Sequence, residues 1–404
     1  MRSAKIIALH AREAKLKRRV RAHLKQIGFL KGPDGTLLPP SLDKETYRQI
    51  HAHQRAAKFA KNGAWIAQNS DKLIQYFASG TDVDVRGIRP RLELAPGSTW
   101  QADLFRYAGY YWRIPISEGY GRRLRFLVWD DHNGKLIGLL ALGDAVFNLR
   151  ARDELIGWDH ERRMEALVNL MDAYVLGAVP PYNMLLGGKL IASLARTSNV
   201  VEAFDAKYRD TEGIISKKKK RARLVAITTT SALGRSSIYN RLKLGGRVLF
   251  NRIGFTSGWG HFHISNALFQ DLREYLEEVG DNYAAAFKFG NGPNWRLRVI
   301  RRALSLLEMN PDLTRHGFAR EVFFCPVANN AISLLRGDNQ RVRYGDLPSV
   351  SVAANLALER WVIPRAARVP QYLVWRPEEL LKEFGDRSEM PKPSSDVWTG
   401  RATV

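Results

Sequence analysis

The chain has 404 residues, enough for two or three domains of roughly 150 residues; 45% are hydrophobic and 10% aromatic, which excludes a wholly disordered protein. Its 63 Lys and Arg against 40 Asp and Glu leave a net charge of +23, favouring a polyanionic partner: nucleic acid first, an anionic membrane surface second. A single cysteine, Cys325, excludes an intramolecular disulfide framework and any zinc site needing two thiolates from this chain.

No apolar run reaches the roughly 18 residues of a membrane span. The longest, residues 136–146, carries Asp144. Residues 6–9 are apolar but give way at once to charge, so no signal-peptide core follows the basic N-terminus. A cytoplasmic, reduced protein without a membrane partner is expected.

Residues 1–62 hold 15 Lys and Arg against 4 Asp and Glu, about half of the whole excess. The spacing predicts a helix over 11–27, with Leu16, Val20, Leu24 and Ile27 on one face and Lys15, Lys17, Arg18, Arg19, Arg21 and Lys25 around it. Ser41 is the expected N-cap of a second helix, and 63–77 a third. Strands are expected at 91–94, 123–129 and 135–142, the last two joined by Asp130-Asp131-His132-Asn133-Gly134, a hairpin signal. A helix over 161–171, a strand over 173–179 and a helix over 182–194 follow. A strand over 224–230, a short helix over 238–244 and strands at 252–256 and 261–264 come next. Helices over 267–279 and 295–307, a strand over 321–325 and a helix over 350–361 complete the pattern. This predicts an α/β protein: a basic helical region over 1–90, a core with a central mixed sheet over 91–265, a helical region over 266–387 and a loose tail over 388–404.

Several clusters could carry chemistry. The densest basic run supplies Lys217, Lys218, Lys219, Lys220, Arg221 and Arg223. With Lys17, Arg18, Arg19, Arg21 and Arg235 these are the expected nucleic-acid contacts, and a solvated basic face is the bland alternative. Asn183, Gly187, Gly188 and Lys189 lie between a strand and a helix, where backbone N–H groups can hold a cofactor phosphate; close helix packing is the alternative use of the glycines. Glu202 and Asp205 with Lys207 imitate a metal-dependent nuclease motif, a pattern that also arises by chance. Ser236 and Tyr239 follow a strand, and His261 and His263 share one face if they lie in a strand. These four are the candidate catalytic groups. Loops 254–261 and 289–296 combine glycines with an aromatic ring and nearby cations, which suits nucleotides and tight turns alike.

Segments 122–130 (RRLRFLVWD), 135–138 (KLIG), 152–158 (RDELIGW), 177–183 (GAVPPYN), 228–237 (TTTSALGRSS) and 316–322 (HGFAREV) resemble the DruA family of the Druantia anti-phage defence system, over residues 40–380 or so. The resemblance implies work beside other Druantia components, including a large helicase. It supplies no catalytic residues and no cofactor. The order hairpin, helix, strand, helix, strand, helix, strand over 123–264 also resembles a GCN5-related acyltransferase core. There Pro180–Lys189 would correspond to the pyrophosphate loop, with adjacent instead of alternating glycines, and Tyr239 to a Tyr after the fifth strand. The expected function is nucleic-acid binding, of DNA foremost, in anti-phage defence. An enzyme, whether acyltransferase-like or a nuclease, and a scaffold for the helicase are the rivals.

Overall fold

Seven strands form one mixed sheet: β1 (Pro90–Leu94), β2 (Arg123–Asp130), β3 (Lys135–Asp144), β4 (Leu170–Ala178), β5 (Ala226–Thr230), β6 (Asn251–Phe255) and β7 (Glu321–Pro326). Their spatial order is β1-β2-β3-β4-β5-β7-β6. The computed structural model describes the chain apart from residues 1, 34–36, 39–40, 42, 117–120, 213–218, 282, 284–294, 339–340 and 384–404. Neighbouring strands are antiparallel except β4 and β5, which run parallel.

The sheet is covered on both faces, so its central strands read as nearly continuous apolar runs. Along β2, Phe126 and Val128 enter one core, and Leu127 and Trp129 the other, as a period of two requires. The first core packs under α6 (Gly187–Leu194), α7 (Ser198–Tyr208) and α11 (Val350–Ala357). The opposite face is covered in two patches. One lies under α3 (Trp100–Gly109) and the end of α2 (Lys44–Leu73). The other lies under α4 (Arg150–Ile156), α5 (His160–Ala166) and α10 (Ala331–Arg336). A separate core joins α1 (Arg2–Gln26), the start of α2, α8 (Asn266–Glu278) and α9 (Trp295–Leu306) through Leu16, Val20, Leu24, Tyr47, Leu272 and Ile300.

The hairpin at 130–134 forms as expected. Gly134 has φ +69°, and its N–H donates to the Asp130 carbonyl at 2.8 Å. Asp130 is fully buried and accepts from the Arg89 and His132 amides and, at 2.9 Å, from the Tyr182 hydroxyl. That network ties the hairpin to the segment after β4.

Several boundaries differ from expectation. The second and third helices are one continuous α2. Its N-cap is Asp43, which accepts from the Thr46 amide, while Ser41 Oγ donates to the Asp43 carboxylate and accepts from the Asp43 amide. The helix expected over 161–171 stops at Ala166, because Leu170 and Met171 join the sheet. Residues 182–186 are turns before α6. The helix expected over 238–244 is a single 3-10 turn, Tyr239–Arg241. His261 and His263 lie in a turn, not a strand. Glu202 and Asp205 lie on α7. Of the basic run, Lys219–Arg221 pair as a short strand with Asp210–Glu212; Lys217, Lys218 and the tail over 388–404 lie outside the described residues.

Candidate functional site

β4 and β5 keep register for three pairs only, Leu170 with Ala226, Met171 with Ile227 and Asp172 with Thr228, although β4 runs on to Ala178. Beyond them the strands part. Tyr174 is an extra residue against β3, since Val175 opposes Ala141 and Ala173 opposes Leu142, and the bulge bends β4 there. Pro180 and Pro181 then end the strand, lacking the N–H a ladder needs. At the crotch side chains replace backbone pairing. Thr229 Oγ1 donates to the Ala173 carbonyl at 2.8 Å, and Thr228 Oγ1 donates to Asp172 Oδ1 at 2.9 Å. In open α/β sheets, crevices at the carboxyl ends of parting parallel strands are where ligands sit.

Asp172 carries the main charge of the crotch. Burial raises its pKa to about 6, against the lowering effect of Thr228 and of Arg152, Arg320 and Arg123. Arg152 is wholly buried, and its guanidinium donates to Asp153 and to the carbonyls of Val146 and Phe147. Arg123 lies over the Tyr174 ring, 4.3 Å from its centroid. The crotch is thus a carboxylate set among arginines, able to hold or release a proton near neutrality.

A cavity of about 250 Å³ opens beside the carboxyl end of β5, lined by Arg48, Tyr111, Trp112, Arg113, Ile114, Ala232 and Leu233. Trp112 lies flat against Gly177 of β4: a Cβ there would stand 2.5 Å from the indole, so the contact requires glycine. The Tyr111 hydroxyl accepts from Asn183 Nδ2 at 3.1 Å. The cavity is thus bordered by Trp112, which packs on the end of β4, and by Ala232 and Leu233, which follow β5. A second cavity, of about 500 Å³, lies at the far edge of the sheet between Leu155, Ile253, Phe324 and Ile332.

The expected catalytic residues do not converge. Tyr239 reaches the crotch: its hydroxyl lies beside Thr229, and burial pushes its pKa to about 12. Ser236 is a cap whose Oγ accepts from the Ile238 and Tyr239 amides. His263 is buried beneath α1, with Nε2 2.8 Å from the Leu313 carbonyl and its own carbonyl 2.9 Å from His23 Nε2. His261 lies beside Arg296, its pKa lowered by burial to about 4.

The expected cofactor loop is closed by its own hydrogen bonds. The amides of Asn183, Gly187 and Lys189 donate to the carbonyls of Val179, Tyr182 and Leu186. Gly187 allows approach to the Tyr182 carbonyl and Gly188 to Ile238. The Lys189 ammonium stands over the Trp361 ring, and burial lowers its pKa. Asp205 is paired to Arg209 at 2.8 Å, Glu202 is exposed, and no group of three acidic, His or Cys side chains among the described residues could hold a metal.

The basic residues divide. Lys17 pairs with Glu308, Arg19 with Asp271 and Arg12 with Glu278, fixing α1 onto its neighbours. Lys15, Arg18, Arg21 and Lys25 are exposed, as are Arg221 and Arg235. Arg223 is half-buried, its amide held by Asn169. Sequence reasoning missed Asp172 and Trp112. A lone carboxylate inside the apolar strand LMDAYVLGA was the available signal for the first; nothing local marked the second.

The fold and site define a mixed α/β protein with a polar crevice between parting parallel strands, beside which segments 228–237 and 316–322 meet through the pairing of Thr230 with Val322. The chain belongs to the DruA family: the model described as Druantia protein DruA matches residues 41–337. It is 50% identical over 392 residues to the Druantia protein DruA of Escherichia coli (strain UMEA 4076-1), covering 97% of each chain. No solved structure matches. No helix among the described residues is long and apolar enough to cross a membrane.

Proposed function

We propose that this chain is the nucleic-acid-binding component of an anti-phage defence system and contacts DNA through the outward face of α1. Lys15, Arg18, Arg21 and Lys25 fall within roughly 120° of the helix circumference at ~100° per residue, opposite the buried Leu16, Val20 and Leu24. They make no ion pair among the described residues, whereas Arg12, Lys17 and Arg19 do. This division carries the reading: one set of cations docks the helix, and the other is held out on a rigid surface where phosphates can reach it. Arg221 and Arg235 are further exposed cations that could meet phosphates.

A mobility-shift assay with duplex and single-stranded DNA tests it. Binding at moderate salt is expected at or below the ~1–100 μM range of ordinary non-specific contact. Affinity weaker than about 100 μM for every oligonucleotide sinks the reading.

The strand order and the parting of β4 from β5 also favour an acyltransferase-like core. The engaged amides after β4 speak for a core kept for binding, without acyl transfer. Acetyl-coenzyme A is expected to leave the melting temperature unchanged, and a clear upward shift overturns this part. The partners proposed are DNA and other Druantia components, a helicase among them.

A further inference from the structure

We propose that the cavity at the open end of the strand gap binds a single nucleotide, its base against Trp112 and Tyr111 and its phosphate between Arg48 and Arg113. This goes beyond DNA contact by α1 and concerns a different surface. Among the described residues, the cavity's lining holds two arginines and two aromatic rings. Its remaining wall, including Ala232 and Leu233, is small or apolar, as the edge of a base requires.

Size decides between ligands. About 250 Å³ is just below the roughly 300–1,000 Å³ of most small-molecule sites, which suits one nucleotide and not a dinucleotide-sized cofactor. Trp112 is held by its contact with Gly177, and Tyr111 by Asn183, so the rings are positioned before a ligand arrives. Among the described residues Arg48 pairs with Glu45, one helical turn away and 62% exposed, an ion pair that a phosphate can displace. Stacking on aromatic faces tolerates every base, so selection here is for nucleotide over other anions, not for one sequence.

The ligand is either a free nucleotide or one nucleotide of a strand. Calorimetric titration of the full chain uses thymidine 5′-monophosphate and adenosine 5′-monophosphate, with thymidine and inorganic phosphate as half-ligands. Saturable one-to-one binding of the monophosphates is expected, with both half-ligands at least tenfold weaker. The double variant Arg48→Ala, Arg113→Ala should weaken binding at least tenfold, and Ala232→Trp, which fills the cavity from its rim, should do the same. Circular dichroism and melting verify that each variant folds. Displacement of the monophosphate by oligothymidylate assigns the site to a strand, and persistence assigns it to a free nucleotide; both uphold it. Absence of saturable binding, equal affinity for phosphate alone, or undiminished affinity in both folded variants overturns it. Replacing Lys15, Arg18, Arg21 and Lys25 with Gln should leave monophosphate binding unchanged, which keeps this test separate from that of α1.

Discussion

Titratable groups of two kinds make opposite demands on the folded state. Asp172 titrates at about 6 in the fold against an ordinary 3.8, so the folded chain holds its proton longer and stability falls as pH rises through that window. Asp172→Asn keeps a partner for Thr228 and removes this cost. It should raise stability at pH 7 by about 1–3 kcal/mol, with the gain vanishing below about pH 4. Denaturant melts across pH check this, and a loss at pH 7 would show that the arginines need the charge. Histidines act in the other direction. His316 is lowered by burial to about 3 and His261 to about 4, so the unfolded chain takes up their protons first and stability falls as pH drops below 6.5. His316→Asn should therefore flatten the acid limb of the stability profile. Tyr182→Phe strips Asp130 Oδ2 of its hydroxyl donor and should cost about 1–3 kcal/mol by urea unfolding.

At the scale of elements, the sequence was readable where one periodicity dominates. The hairpin of β2 and β3, helix α8 and strand β7 stand within a residue or two of expectation, because α8 has one helical period and the strands are short apolar runs bounded by charge or turn signals. Ambiguity arose where tertiary pairing decides. Leu170 and Met171 continue a helical pattern in isolation, yet β3 and β5 on either side draw them into the sheet. The alternation of His261 and His263 imitates a strand, but their neighbours turn beneath α1 and no strand among the described residues pairs with them. The crevice was only half legible, since Tyr239 was singled out and Asp172 and Trp112 were not. Their roles come from a bulge and from a contact across 65 residues of chain, from Trp112 to Gly177. Helix α1 offers a test of docking against surface roles. Val20→Asp puts a charge into the core with Leu272 and should destabilise by about 3 kcal/mol or more, whereas Arg18→Gln should stay within about 0.5 kcal/mol.

For the whole molecule, the excess of +23 is organised, not spread evenly: residues 1–62 carry about half of it, and α1 turns part of that outward while its other cations fasten it to α8 and its surroundings. A basic surface that only kept the protein in solution would add nothing to the salt dependence of DNA binding. The most direct measurement is the slope of log affinity for DNA against log salt, for the natural chain and for the variant with Lys15, Arg18, Arg21 and Lys25 changed to Gln. If about three of the four meet phosphates, the slope should become shallower by about 2–3 units, at ~0.7–0.9 per contact, with the melting temperature unchanged. An unchanged slope in the folded variant would contradict the account and place the DNA contacts elsewhere.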